Sequence, residues 1–175
     1  MKKIAFHTLG CKLNFSESSE ILKQFIENDY ENIDFSEKAD VYVVNTCCVT
    51  AVAEKKCRAA IRQAIRQNPN AIIAVVGCMS QLSADEIHKI NGVSIVLGND
   101  KKHTLFETIK SKVQGARNNS IAQEDENLYP EMTFFSSTSS SDRTRVFMKI
   151  QDGCNYFCSY CTIPFARGRN RCDSI

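Results

Sequence analysis

The chain has 175 residues, with 22 Lys and Arg against 20 Asp and Glu, a net charge of +2, no Trp and nine Cys. Hydrophobic residues at 43% and charged residues at 24% are globular proportions and argue against wholesale disorder. No apolar run approaches the ~18–20 residues of a membrane-spanning helix, and so small a net charge does not by itself argue for nucleic acid.

Residues 1–113 read as alternating strands and helices. Lys3–Thr8 is a predicted strand. Ser16–Asn28 follows as a helix with Ile21, Leu22, Phe25 and Ile26 on one face, and Ser16 or Asn14 as its N-cap. Val41–Asn45 is a β-branched buried strand. Ala51–Gln67 is a long helix ending before the turn signal Asn68-Pro69-Asn70. Ala71–Val76 is a further strand, Asp85–Ile90 a short helix, Ser94–Leu97 a strand and Thr104–Val113 a helix. Strands separated by helices indicate βαβ units and a parallel sheet. The expected fold is an open, doubly wound α/β domain of flavodoxin or Rossmann-like type over 1–114. Residues 115–144 are polar and low in complexity, with the run Ser136-Ser137-Thr138-Ser139-Ser140-Ser141, and read as a linker or mobile loop. Phe134 and Phe135 within it are candidates to pin it to a domain. Arg145–Gln151 reads as the first strand of a second unit, 145–175.

Nine cysteines need a cause. The start of the chain has no signal-peptide pattern, and an odd number leaves one thiol over, so a reducing, cytoplasmic setting is expected. Clustered thiols there are more often metal ligands or catalytic groups than bridges. Cys154, Cys158 and Cys161 form CxxxCxxC just after a predicted strand. Iron–sulfur centres are ordinarily held by four Cys, so three ligands leave one iron open to a small molecule. Zinc would need a fourth ligand, which Cys172 could supply, but this spacing is unusual for zinc. Cys11, Cys47 and Cys78 each follow a predicted strand. Loops at the carboxyl ends of parallel strands share one edge, where ligands bind. These three are therefore expected to converge as a second three-thiolate site, against the alternative that each is a small buried hydrophobe. Gly10 and Gly77 directly before two of them allow tight turns. Cys48 and Cys57 read as packing residues, and Cys172 has no assigned role. His7, His88 and His103 lack ligand spacing and read as structural or surface residues.

The motifs resemble the radical S-adenosylmethionine methylthiotransferases that modify tRNA. The resemblance rests on the CxxxCxxC loop followed by Thr162-Ile163-Pro164-Phe165-Ala166-Arg167-Gly168-Arg169-Asn170-Arg171. It rests also on Thr8-Leu9-Gly10-Cys11-Lys12-Leu13-Asn14, Asn45-Thr46-Cys47 with Val49-Thr50, and Gly77-Cys78-Met79-Ser80-Gln81. Gly-Cys-Lys-Leu-Asn is most similar to the branch acting on N6-threonylcarbamoyladenosine next to the anticodon. The alternatives are the isopentenyladenosine and ribosomal-protein branches, or a non-catalytic tRNA- or metal-binding α/β module.

The resemblance implies two 4Fe–4S clusters and S-adenosylmethionine. Cys154, Cys158 and Cys161 would hold the radical cluster, Tyr160 would contact the adenine, and Cys11, Cys47 and Cys78 would hold the auxiliary cluster. It further implies a tRNA anticodon stem-loop as substrate and an electron donor such as flavodoxin or ferredoxin. The family continues into a partial αβ barrel. One βαβ unit alone takes roughly 30 residues, more than follow Cys161, so a fragment inactive by itself is expected. Arg58, Arg62 and Arg66 share a helix face at i, i+4, i+8, and Arg167, Arg169 and Arg171 lie past the cluster loop. All six are candidate RNA contacts, or, for the last three, stabilisers of an anionic site. The alternative for the helix is a solvated basic face.

Overall fold

The computed structural model describes residues 1–114, 132–139 and 145–173. Five parallel strands, β1 (Lys2–Thr8), β2 (Tyr30–Asn32), β3 (Val41–Thr46), β4 (Ile72–Gly77) and β5 (Ile95–Leu97), form one sheet in the order β2-β1-β3-β4-β5. This is the flavodoxin-type order, whose chain reverses direction across the sheet between β1 and β3. Helices α1 (Lys12–Ile26) and α5 (Leu105–Val113) cover one face. Helices α2 (Ala51–Gln67), α3 (Cys78–Leu82) and α4 (Ala84–His88) cover the other, and α6 (Ile163–Arg167) packs on α3.

The two-sided cover explains why β3 and β4 are near-continuous apolar runs rather than alternating ones. Successive side chains point to opposite faces. Val41 and Val43 join Ala74, Val76, Ile21, Phe25 and Ile109 on one side. Tyr42 and Val44 join Ile73, Val75, Ile61 and Ala64 on the other. The Tyr42 hydroxyl donates to Glu37 O at 2.5 Å and accepts from Ala39 N at 3.0 Å, so the one polar tip among these β3 residues is satisfied.

The expected α/β architecture is present, with local corrections. Helix α1 starts at Lys12, four residues before Ser16, with Cys11 as N-cap in an extended conformation. Asn14 and Ser16 do not cap it. Asn14 Nδ2 donates to Leu9 O and Thr46 O at 2.8 and 3.0 Å, and Ser16 Oγ lies 2.8 Å from Ser137 Oγ. Polar residues in the first turns of α1 concealed its start because they face a polar interior. The short edge strand β2 and helices α3 and α6 were not anticipated. Arg145–Gln151 is not a regular strand. Among the described residues a single antiparallel bridge joins its Met148 to Thr138.

Of the expected linker, 115–131 and 140–144, including Ser140 and Ser141, lie outside the described residues. Residues 132–139 lie against the domain. Phe135 packs on the α1/α5 core and stacks on His103 with ring centroids 5.8 Å apart. Phe134 lies under Lys149 Nζ at 5.2 Å. No helix among the described residues is long and apolar enough to cross a membrane.

Gly77 joins β4 to α3 at φ +101°, a conformation side chains rarely adopt. A Cβ there would sit 2.5 Å from Asn45 Oδ1 and 2.8 Å from Thr46 O. Gly77→Ala is expected to cost about 1–3 kcal/mol, read as a lower urea midpoint with an unchanged slope.

Candidate metal centre at the strand ends

Sheet register sets the site. Thr8 pairs with Asn45, Asn45 with Val76 and Thr46 with Gly77, so β1, β3 and β4 end side by side. Leu9 N continues the ladder to Asn45 O at 2.9 Å. The chain then turns, placing Cys11 at the N-cap of α1, Cys47 immediately after β3 and Cys78 as the first residue of α3. The three loops are adjacent, as the sequence pattern predicts. Gly10 must lack a side chain, since at φ +102° a Cβ would lie 2.9 Å from Cys47 Cβ and 3.1 Å from its sulfur.

Beneath the thiols lies a layer of polar side chains that fixes the strand ends. Asn45 Nδ2 donates to Asn14 O at 3.0 Å and Ser18 Oγ at 2.9 Å. Thr46 Oγ1 donates to Val76 O at 2.7 Å and accepts from Met79 N at 3.2 Å. Asn45 Oδ1, Asn99 Oδ1 and Ser80 Oγ are buried without a hydrogen-bond partner among the described residues.

Cys47 and Cys78 are buried and Cys11 is exposed; all nine cysteines are free. Cys57, fully buried in the core, accepts from Cys47 N at 3.4 Å and donates to Cys47 O at 3.6 Å, so it props the Cys47 turn as it packs. Cys48 is buried but is more than filler. It hydrogen-bonds Cys78 and lies 4.0 Å from Thr162 Oγ1. That hydrogen bond brings the Cys78 thiol down to about 5 against the effect of burial, assisted by the charges of Arg167 and Lys102. Cys48 is correspondingly raised, first by its bond to Cys78 and then by burial. Asn99 Nδ2 donates to Cys78 Sγ at 3.4 Å and to Ala166 O at 2.7 Å.

In the second group, Cys154 and Cys161 are half-buried and Cys158 exposed. Cys161 N donates to Cys158 O at 2.9 Å, and Cys154 N to Gly168 O at 3.1 Å. An antiparallel bridge between Asp152 and Arg171 closes the base of the loop. Tyr160 is 91% exposed at its rim. The segment after this loop reaches the strand-end thiols through Thr162 and Ala166, so the two cysteine groups belong to neighbouring loops.

A buried ion cluster joins these segments. Glu17 on α1 pairs with Lys102, in the 3-10 turn before α5, with Lys149 at 2.7 Å and with Arg167 at 3.2 Å. Asp152 pairs with Lys149 at 2.7 Å, Arg167 at 2.8 Å and Arg171 at 2.9 Å. Arg167 also donates to Asn14 Oδ1 at 2.6 Å. Burial alone would raise the Glu17 carboxyl, but Lys102, Arg167 and Lys149 hold it far below its ordinary range. Charges removed from water persist only when paired and hydrogen-bonded.

This corrects the reading of Arg167. It is 3% exposed and fully engaged, so it is an internal ion-pair partner and not a surface RNA contact. Arg171 is half-buried against Asp152. Arg169 is exposed, with its guanidinium 5.7 Å over the Phe157 ring. On α2, Arg58 is held by Glu86 at 2.6 Å, whereas Arg62 and Arg66 are exposed. The sequence reading missed Glu17, Lys102, Lys149 and Asp152. One signal was available: Glu17 stands at i−4 and i−8 from the buried Ile21 and Phe25, a charge on an apolar stripe.

Among the described residues, no three His, Cys, Asp or Glu side chains are already gathered as a metal-ion site. The donor chemistry nonetheless suits an iron–sulfur centre. Three thiols follow adjacent strand ends, the turns before two of them exclude a Cβ, and the buried Arg167 reaches the backbone beside Cys11 and Cys47 through Asn14.

A family model described as "Uncharacterized protein family UPF0004" matches residues 3–98. Similar curated proteins include the threonylcarbamoyladenosine tRNA methylthiotransferase MtaB of Bacillus subtilis (strain 168). It is 45% identical over 174 residues, covering 96% of this chain and 37% of the relative. The protein of the same name from Aquifex aeolicus (strain VF5) is 37% identical over 169 residues, covering 97% of this chain and 41% of the relative. The tRNA-2-methylthio-N(6)-dimethylallyladenosine synthase of Methylacidiphilum infernorum (isolate V4) is 30% identical over 180 residues, covering 100% of this chain and 38% of the relative. The chain thus spans about two fifths of the length of these relatives.

Glu17→Gln leaves three buried cations without their shared carboxylate. The expected cost is about 3–5 kcal/mol, read as a lower urea midpoint and faster proteolysis within 145–173. Acid should act the same way. The Glu17 carboxyl is held below its ordinary value of 4.5, so the native state binds fewer protons than the unfolded chain. Its stabilisation is complete above that value and fades as pH falls toward the folded-state value. Wild type should therefore lose more stability on acidification than Glu17→Gln does.

Proposed function

The chain belongs to the family described as "Uncharacterized protein family UPF0004", and from that premise we propose that it serves a radical S-adenosylmethionine tRNA methylthiotransferase. The proposed reaction adds a methylthio group at C2 of N6-threonylcarbamoyladenosine beside the anticodon. The names of the relatives support the reaction class and the preference for the threonylcarbamoyl substrate. The observation that carries the reading is the arrangement of cysteines. Three follow three adjacent parallel strands, and the segment after a CxxxCxxC loop packs against the third of them.

In this reading Cys154, Cys158 and Cys161 hold one 4Fe–4S cluster and Cys11, Cys47 and Cys78 the other. When bound, the clusters and S-adenosylmethionine supply the radical and sulfur chemistry, while the protein supplies binding and orientation. The residues of this chain have definable tasks. Gly10 and Gly77 let the backbone approach the auxiliary centre closely. Asn99 donates to Cys78 and ties it to α6, as outer-shell partners of metal ligands do. Exposed Tyr160 offers a ring face to the adenine of S-adenosylmethionine. Exposed Arg62, Arg66 and Arg169 are the proposed phosphate contacts for the anticodon stem-loop. Arg58 is a weaker one because Glu86 occupies it, and Arg167 and Arg171 act inside the fold. A small reducing protein such as a flavodoxin or ferredoxin would deliver the electron, in the cytoplasm.

Anaerobic reconstitution tests the assignment. Wild type should bind roughly eight iron and eight sulfide per chain. Replacing Cys154, Cys158 and Cys161 with Ala together should leave roughly half, as should the same replacement of Cys11, Cys47 and Cys78. Zinc, or no metal, would favour a binding module. For the substrate, methylthio-threonylcarbamoyladenosine should vanish from the tRNA of cells lacking the gene, and its persistence in mass spectra would refute that assignment.

A further inference from the structure

We infer that Lys102 and Arg167 are positioning residues for the Cys11, Cys47 and Cys78 centre, supplying buried positive charge that balances its thiolates and raises its reduction potential. The inference rests on the proposed assignment of those thiols to one iron–sulfur centre.

The charge balance of the interior carries it. Lys102, Lys149 and Arg167 are exposed by 2%, 5% and 3%, and the carboxylates they share, Glu17 and Asp152, by 0% and 3%. Three buried cations therefore face two buried carboxylates, and Arg171 adds a fourth cation at the rim through Asp152. A fold that removes surplus charge from water incurs a large desolvation cost unless an opposite charge stands near. Lys102 Nζ pairs with Glu17 and with no other carboxylate among the described residues. Arg167 also donates to Asn14 Oδ1, and Asn14 Nδ2 donates to Leu9 O and Thr46 O, the backbone beside Cys11 and Cys47, so the ion cluster that Arg167 and Lys102 share through Glu17 stands against the strand ends. The side chain that donates to the Cys78 sulfur, Asn99, also holds the backbone of Ala166, next to Arg167. Salt screens such interior charges far less than exposed ones.

The sign of the effect follows from electrostatics. A centre held by three thiolates is anionic, and reduction by one electron makes it more so. Fixed positive charge nearby stabilises the reduced form more than the oxidised form and so raises the potential. Lys102 is the better probe of the two. Arg167 also anchors α6 through Asn14 and Asp152, whereas without Lys102 the Glu17 carboxylate still has Lys149 and Arg167.

The test uses the full chain with Cys154, Cys158 and Cys161 replaced by Ala, so that only the strand-end centre can load. After anaerobic reconstitution, the midpoint potential is measured by a redox titration followed by electron paramagnetic resonance. Lys102→Met should move the midpoint to more negative potential. Lys102→Arg should restore it, and Lys101→Met, at the exposed neighbour, should leave it in place. Loading by Lys102→Arg but not by Lys102→Met would also support a charge requirement. An unmoved midpoint in a fully loaded Lys102→Met protein overturns the inference and leaves the site assignment standing. Failure of both Lys102 variants to load likewise overturns it, since one of them keeps the charge. No cluster in the triple-Ala protein with Lys102 intact overturns the site assignment and the inference with it.

Discussion

The Glu17 carboxylate is the constraint on which the rest of this structure turns. It lies fully buried on α1 and engages three cations from separate parts of the chain, one before α5, one after the polar stretch and one on α6. Asp152 repeats the arrangement from the C-terminal side. Residues 145–173 have no regular strand of their own, and at Val146, Met148 and Ile150 their large apolar side chains point outward. Apolar burial alone thus explains little of their docking. Ion pairing and hydrogen bonds fix where the CxxxCxxC loop stands relative to the sheet. Buried ion pairs are an inefficient source of stability, because desolvation offsets most of the Coulombic gain. Their value here is geometric, since a carboxylate shared among three donors permits one arrangement of the segments that carry them.

The sheet was legible because β3 and β4 are short, β-branched and bounded by turn residues, a pattern that has one low-energy use in a two-sided parallel sheet. That the loops carrying Cys11, Cys47 and Cys78 share one edge was legible for the same reason, since each closely follows a strand and parallel strands end on one edge. What escaped was polar. Asn14 and Ser16 look like the approach to a helix, yet they lie in its first turns, because the interior they face contains Arg167 and Ser137 rather than hydrocarbon. Arg167 itself reads as a surface cation from composition. Its partner Glu17 is 150 residues away along the chain, and no local pattern links the two. Ion pairs of such separation leave no periodicity to detect. The only trace is a charge on an otherwise apolar helix stripe.

The same polar interior relates the two cysteine groups physically. Cys48 reaches Thr162 and Asn99 reaches Ala166, so the loop after Cys161 is held to the loops around Cys78 by side chains that are not themselves proposed ligands. Cys57 props the Cys47 turn from within the core. The cysteines without ligand roles are thus not all alike. Cys57 and Cys48 support the strand ends, while Cys172 is exposed. Cys48 and Cys57 belong to the apolar layer on the α2 side of the sheet, which Cys78 shares.

The central claim is that Cys11, Cys47 and Cys78 together hold one iron–sulfur centre. The most direct measurement is a crystal structure of the anaerobically reconstituted chain, with iron located by its anomalous scattering. The account predicts two separate iron clusters. One would be bonded to the sulfurs of Cys11, Cys47 and Cys78 with Cys48 and Cys57 unbonded, and the other to Cys154, Cys158 and Cys161. Iron confined to the CxxxCxxC loop, or a strand-end metal ligated by Cys48 in place of one of the three, would contradict it.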